Sequence, residues 1–131
     1  MEKIMIIDSD MGQMRALNEG LSGEYRILNC SRGSKALDLY RLFQPSALIL
    51  DPATYDRDGR DFIRRVRSTA KGHIPILALT RITALKHIEN SFDWGVDVIY
   101  SKPCTAERVR KKLDGFFTRP EKVRTLQPAG A

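Results

Sequence analysis

The sequence predicts an α/β fold of the (βα)5 type, a doubly wound parallel sheet. Short apolar runs alternate five times with amphipathic stretches along the chain. The apolar runs are nearly continuous rather than alternating, which is typical of strands covered by helices on both faces. Because parallel strands need right-handed crossover connections, five βα units in one sheet are the simplest arrangement.

The apolar runs predict strands at about residues 3–7, 25–30, 46–51, 74–80 and 97–101. The second run is the most mixed in polarity, since Arg26 and Asn29 interrupt it. A strand buried on both faces would tolerate such residues poorly. We therefore place the second strand at an edge of the sheet.

Apolar residues at helical spacing predict five helices between and after the strands. Their markers, in chain order, are Met14, Leu17 and Leu21; Ala36, Tyr40 and Phe43; Phe62, Ile63 and Val66; Leu85, Ile88 and Phe92; and Val109, Leu113, Phe116 and Phe117.

Capping and helix-stopping residues delimit these helices. Asp10, Thr83 and Thr105 are predicted N-caps of the first, fourth and last helices, and Gly95 is a predicted stop of the fourth. After Phe117 the chain has two prolines and no apolar periodicity. We therefore expect one domain over residues 1–117 and a flexible tail or linker stub over 118–131.

Composition indicates a single globular domain of 131 residues, with 42% hydrophobic and 29% charged residues. No apolar run approaches the roughly 18 residues that span a bilayer, so we expect a cytoplasmic protein. Cys30 and Cys104 follow no metal-ligand spacing and are expected to be reduced thiols. The net charge of +6 comes largely from basic helices with few interleaved aromatic residues, so we do not expect nucleic-acid binding.

Polar residues lie just past the ends of four predicted strands. They are Asp8, Asp51, Thr80 and Lys102. In a parallel α/β sheet, ligands bind in the crevice outside the carboxyl ends of the strands. The fold therefore predicts two carboxylates, a hydroxyl and an ammonium group in one pocket.

This set of groups suits a phosphoryl group carried on an aspartate. The carboxylate of Asp51 can attack a phosphoryl group and form an acyl phosphate. Lys102 can pair with one phosphoryl oxygen, Thr80 can donate to another, and Asp8 and Asp51 can supply oxygen ligands to Mg²⁺. Alternatively, Lys102 could simply neutralise Asp51 in a domain that is never phosphorylated, and Asp8 and Thr80 could be structural.

Four segments in order resemble a response-regulator receiver domain, over about residues 3–117. They are KIMIID at 3–8, PSALILD at 45–51 followed by Asp58-Gly59, IPILALT at 74–80, and GVDVIYSKP at 95–103. The resemblance implies the flavodoxin-like strand order 2-1-3-4-5 and a cis peptide bond between Lys102 and Pro103.

The resemblance also implies roles for the residues of the pocket. Asp51 would be the phosphoacceptor, Thr80 the switch hydroxyl and Lys102 the lysine that pairs with the phosphoryl group. Mg²⁺ would bind through Asp8, Asp51 and the backbone carbonyl of Ala53. Such domains are signalling modules rather than enzymes, with at most slow self-phosphorylation and self-dephosphorylation.

The partners that the resemblance implies are those of two-component signalling. A histidine kinase or a histidine phosphotransfer protein would donate the phosphoryl group. The output would be a downstream domain or protein that binds the face made by the fourth predicted helix, the fifth strand and the last helix.

The sequence departs from the family pattern at several positions. Ser9 stands where the family has the carboxylate that binds Mg²⁺ directly, so weakened metal affinity is expected. Arg81 replaces the usual small residue after the switch hydroxyl, and could cover the pocket or contact the phosphoryl group. Ile99 replaces the switch aromatic, and Tyr55 replaces a proline. The open alternative is a pseudo-receiver, an interaction module that works without phosphorylation.

Overall fold

The computed structural model describes residues 1–54, 59–81 and 94–130, with side chains described as far as residue 118. Its five strands are β1 (Lys3–Ile7), β2 (Arg26–Cys30), β3 (Ala47–Leu50), β4 (Ile76–Thr80) and β5 (Val98–Ser101). They form one parallel sheet in the order β2-β1-β3-β4-β5. The predicted strands, the strand order and the edge position of β2 are confirmed.

Four helices occur in the described ranges, together with a short 3-10 turn at Pro52–Thr54. They are α1 (Met11–Leu21), α2 (Gly33–Phe43), α3 (Gly59–Thr69) and α4 (Ala106–Gly130). The helix predicted around Leu85, Ile88 and Phe92, with its cap Thr83, lies outside the described residues. Because α4 extends past residue 117, the domain boundary at this residue stays a prediction.

Local sequence signals set the ends of several helices. The Asp10 side chain accepts a hydrogen bond from the Gln13 N–H at 3.1 Å, and the Thr105 hydroxyl accepts one from the Arg108 N–H at 3.2 Å. Both residues therefore cap the helices that the sequence assigns to them. Gly95 has a φ of 105°, a left-handed conformation that favours glycine, but the helix it was predicted to stop lies outside the described residues.

The sheet separates two apolar layers, because successive side chains of a strand point to opposite faces. Met5, Ile7, Leu48 and Leu50 face the layer that contains α2 and α3. The other face of the same strands packs against α1 and α4, in a layer that includes Ile4, Ile6, Leu17, Leu77 and Leu113. Within the described part of the chain, no helix is long and apolar enough to cross a membrane.

The helices α1 and α4 approach each other closely at Gly20. A Cβ at this position would overlap the Cβ of Ala106. The Arg110 side chain crosses the same contact, because it donates to the Gly20 carbonyl and pairs with Glu24 at 3.2 Å. The contact holds the start of α4 next to α1, and with it the loop that follows β5.

Candidate phosphoryl-acceptor site

The strand register brings the four predicted site residues to one edge of the sheet. Ile7 of β1 pairs with Leu50 of β3, so Asp8 and Asp51 leave neighbouring strands side by side. Thr80 pairs with Ser101, the residue before Lys102, and the Lys102 N–H donates to the Thr80 carbonyl at 2.8 Å. The carboxyl ends of four strands thereby converge on one pocket.

Lys102 is the centre of the charge cluster, with a side chain that is only 5% exposed. Its Nζ donates to Asp51 Oδ2 at 2.6 Å and to Asp8 Oδ1 at 2.9 Å. Asp10 Oδ2 lies 3.6 Å from the same nitrogen. One ammonium group therefore faces three carboxylates, and the pocket carries an excess of negative charge.

Backbone hydrogen bonds hold the carboxylates in place. Asp8 Oδ1 accepts from the Asp10 N–H at 2.9 Å, and Asp51 Oδ1 accepts from the Ala53 N–H at 2.9 Å. Each aspartate thus closes a turn at the end of its own strand while its other contact is Lys102. The backbone hydrogen bond and the contact with Lys102 together fix the orientation of each carboxylate.

Burial and charge pairing shift the pKa values of this cluster in different directions. Burial raises the pKa of Asp8 above its ordinary value, and the hydrogen bond from Lys102 offsets this only in part. Burial alone would lower the pKa of Lys102, but its hydrogen bonds to Asp51 and Asp8 outweigh burial and raise it. Lys102 is therefore a fixed positive charge at neutral pH. The hydrogen bond from Gln13 keeps the pKa of Asp10 low.

Thr80 supplies a hydroxyl group that is buried at the end of β4. The residue is 1% exposed, and its Oγ1 has no hydrogen-bond partner among the described residues. A buried polar group without a partner destabilises the structure, so its presence calls for an explanation. A ligand oxygen in the pocket would provide that partner.

The residues present fit a hard cation only in part. The carboxylates of Asp8 and Asp51 are oxygen donors of the kind that Mg²⁺ prefers. Ser9 is exposed, and its N–H donates to Thr54 Oγ1 at 3.1 Å. Over the described ranges, no group of three or more His, Cys, Asp or Glu side chains has a geometry that could hold a metal ion. Serine offers a neutral hydroxyl, so residue 9 adds no carboxylate to this set of donors.

Arg81 and Asp10 lie at the rim of the pocket. Arg81 Nη2 is 3.9 Å from Asp10 Oδ2, and the arginine side chain is 75% exposed. Both residues line a cavity of 640 Å³ that also reaches Lys102, Pro103 and Thr105. Asp10 and Lys102 of the charge cluster thus form part of its lining.

Gln13 is a site residue that sequence reasoning missed. Its buried side-chain amide donates to the Cys104 carbonyl at 2.8 Å and accepts from the Cys104 N–H at 2.9 Å. These two hydrogen bonds attach the loop that contains Lys102 to α1. The sequence signal that could have found Gln13 is a polar residue at a position where the amphipathic pattern of the helix predicts burial. The expected cis peptide bond between Lys102 and Pro103 is present in the same loop.

Residues 4–114 match the family model of the response regulator receiver domain, and the chain belongs to this family. It is similar to the response regulator MprA of Mycobacterium avium (strain 104), with 30% identity over 122 residues. The alignment covers 91% of this chain and 53% of the relative. The chain thus spans about half the length of the curated relatives it matches.

Solved structures show the same fold. A two-component response regulator from Clostridium difficile has a TM-score of 0.79 at 23% identity, covering 91% of this chain and 98% of the other. The receiver domain of a sensor histidine kinase from Pseudomonas aeruginosa PAO1 has a TM-score of 0.75 at 21% identity, covering 86% and 94%. The latter structure contains a magnesium ion coordinated in the active site cleft.

Proposed function

We propose that Asp51 accepts a phosphoryl group from a histidine kinase or a histidine phosphotransfer protein in the cytoplasm. The observation that carries the proposal is the Asp51 carboxylate, held 2.6 Å from the fixed charge of Lys102 at the carboxyl edge of the sheet. Lys102 pairs with the carboxylate before transfer and with a phosphoryl oxygen afterwards. Phosphorylation then switches the binding of a partner in two-component signal transduction.

The transfer step is a displacement at phosphorus. An Asp51 carboxylate oxygen forms a bond to phosphorus, the bond between phosphorus and the imidazole nitrogen of the donor breaks, and the electron pair leaves with that nitrogen. The buried hydroxyl of Thr80, which has no partner in the described part of the chain, donates to a phosphoryl oxygen of the product. Its reorientation toward the new charge is the start of the switch.

Mg²⁺ would be held by Asp8, Asp51 and the backbone carbonyl of Ala53. A bound divalent cation neutralises the charge that develops on the transferring group. Because Ser9 offers a neutral hydroxyl where a carboxylate would bind directly, we expect weakened metal affinity. Asp8 and Asp51 are also held by Lys102, so part of their charge is already compensated.

The output surface in this proposal is the face that includes β5 and α4. Ile99 of β5 is partly buried and packs against the core layer of α2 and α3. Because isoleucine has no aromatic ring, no ring rotation at this position can follow a movement of Thr80. The population shift would instead run through the loop after β4 and the position of Lys102.

Intact-protein mass spectrometry tests the proposal. The protein is incubated with a small-molecule phosphodonor, with and without Mg²⁺, next to Asp51→Asn. One Mg²⁺-dependent phosphoryl adduct is expected on the wild type and none on the variant. If the purified cognate kinase also transferred no phosphoryl group to the wild type, the proposal would be wrong.

The second candidate is a pseudo-receiver, an interaction module that binds its partner without phosphorylation. Ser9 at the metal position and the 2.6 Å pairing of Asp51 with Lys102 favour it. It predicts that Asp51→Asn captures the partner as well as the wild type does. Ser9→Asp separates the two candidates, since a calorimetric gain of Mg²⁺ binding accompanied by faster phosphorylation would show that the metal alone limits an otherwise working receiver.

A further inference from the structure

A chain of charges leads from the surface into the pocket. Arg81 Nη2 lies 3.9 Å from Asp10 Oδ2, the same oxygen lies 3.6 Å from Lys102 Nζ, and that nitrogen lies 2.6 Å from Asp51 Oδ2. The arginine therefore stands at the open end of a path that terminates at the phosphoacceptor. The 640 Å³ cavity beside it gives its guanidinium room to move.

Arg81 is held only loosely in this position. Its contact with Asp10 is at the far limit of an ion pair, and the side chain is 75% exposed. Exposed pairs of this kind contribute little to stability. Asp10 keeps its hydrogen bond from Gln13 and its proximity to Lys102 when Arg81 leaves. The arginine can therefore change partner at little cost.

Charge balance gives the arginine a reason to change partner. In the resting pocket, Asp8, Asp10 and Asp51 face Lys102 and Arg81, an excess of one negative charge. Phosphorylation replaces the single charge of Asp51 by about two negative charges and adds acceptor oxygens. Lys102 is a point charge, whereas a guanidinium can donate to two phosphoryl oxygens at once. Ser9 adds no carboxylate to the metal site, so weakened Mg²⁺ binding leaves more of the added charge for a side chain to compensate.

We infer that Arg81 is a phosphoryl-binding residue of this receiver domain. Its guanidinium leaves Asp10 when Asp51 is phosphorylated, donates hydrogen bonds to the phosphoryl oxygens and covers the mouth of the pocket. The inference rests on the proposed phosphorylation of Asp51. It gives the pocket a second positively charged side chain besides Lys102, at a position where the family has a small residue.

Binding of beryllofluoride, a mimic of the phosphoryl group, tests the inference without a hydrolysis step. Its affinity for wild type, Arg81→Ala, Arg81→Lys and Asp51→Asn is measured by ¹⁹F NMR at fixed Mg²⁺. Arg81→Ala should weaken binding by about five- to tenfold, the effect of one partly exposed charge-assisted hydrogen-bonding group. Arg81→Lys should recover part of the loss. The phosphoryl adduct of Arg81→Ala should also have a shorter half-life.

Arg64→Ala is the matched control, because it removes one exposed arginine from α3. It should bind beryllofluoride as the wild type does. An equal loss in Arg64→Ala and Arg81→Ala would indicate bulk charge and overturn the inference. Wild-type affinity in Arg81→Ala would overturn it too, while the proposed function would stand. No binding to any of the proteins, and no adduct on the wild type, would overturn both.

Asp10→Asn provides an independent arm. Asparagine caps helices as well as aspartate does, so α1 keeps its N-terminus while Arg81 loses its resting partner. Asp10→Asn should then tighten beryllofluoride binding more when Arg81 is present than in the Arg81→Ala background. A double-mutant cycle measures this coupling, and additive effects of the two changes would contradict the exchange of partners.

Discussion

Asp8 is the residue at which burial and charge oppose each other most clearly. It is almost completely buried, and it shares Lys102 with Asp51 and Asp10. One lysine cannot compensate three carboxylates in a region of low dielectric. The site therefore keeps a charge excess that destabilises the resting fold and that a cation or a positively charged side chain would relieve.

Asp8→Asn should stabilise the unphosphorylated protein at neutral pH. Because folding raises the pKa of Asp8 above its ordinary value of 3.8, the folded state binds this proton more tightly than the unfolded state does. The contribution of Asp8 to stability is thus lost as the pH rises from 3.8 through the folded pKa. The advantage of asparagine should grow over the same window.

Urea unfolding at pH 4, 5.5 and 7 measures this effect. Glu19→Gln, which removes an exposed carboxylate from α1, is the control and should show no comparable pH trend. A variant Asp8→Asn that is less stable than wild type at pH 7 would mean that the Asp8–Lys102 ion pair outweighs the burial of the charge.

Thr80→Val should stabilise the resting protein by about 1 kcal/mol, because it replaces a buried hydroxyl that has no partner among the described residues by a methyl group of similar size. The same variant should weaken beryllofluoride binding, since the donor to the phosphoryl oxygen is gone. Urea unfolding and ¹⁹F NMR give the two readouts. Thr69→Val, which removes a hydroxyl that donates to the Arg65 carbonyl at 2.9 Å, should instead lose stability.

At the scale of elements, the loop after β5 is positioned by α1. Gln13 and Cys104 exchange two buried hydrogen bonds, and the close contact of Gly20 with Ala106 sets the separation of α1 and α4. Lys102 lies in the same loop, two residues before Cys104. The distance from Lys102 to Asp51 therefore depends on how closely the two helices pack.

Gly20→Ala should destabilise the protein by about 1–3 kcal/mol, because the added methyl group overlaps Ala106 and α1 must move away from α4. Gly12→Ala is the matched control in the same helix, since its methyl group meets only Asp10 Oδ1 at an ordinary 3.6 Å. This control should be neutral or slightly stabilising, as alanine is the better helix former. Thermal unfolding measures both changes.

Ala106→Gly should rescue Gly20→Ala in part, because it restores space on the opposite helix. The rescue separates local overlap from a general effect of altering the helix. Equal stabilities of Gly12→Ala and Gly20→Ala would contradict the close contact of α1 and α4.

At the scale of the whole molecule, the sequence predicted what depends on local patterns. Apolar runs gave the strands, and the carboxyl ends of parallel strands meet at one edge, so Asp8, Asp51, Thr80 and Lys102 could be placed together. Gln13 and Gly20 escaped prediction because their partners, Cys104 and Ala106, lie 91 and 86 residues further along the chain. No local periodicity encodes such side-chain contacts.

The predicted domain boundary at residue 117 can be tested by shortening the chain. Side-chain contacts between α4 and the rest of the domain include Leu113 in the core, the hydrogen bond of Tyr25 to Asp114 at 2.8 Å, and the rings of Tyr25 and Phe117 at 6.2 Å. If the contacts that hold α4 end there, a chain of residues 1–117 should have a free energy of unfolding within about 0.5 kcal/mol of the full chain. Its urea slope should also be unchanged.

A chain that ends at Asp114 is the control for this truncation. It lacks Phe116 and Phe117, which are partly buried against the layer of α1 and α4, and should lose more than about 1 kcal/mol. Urea unfolding of the three chains gives the comparison. A loss of similar size in the 1–117 chain would place stabilising contacts beyond Phe117, and the domain would then include part of the segment that the sequence assigns to a tail.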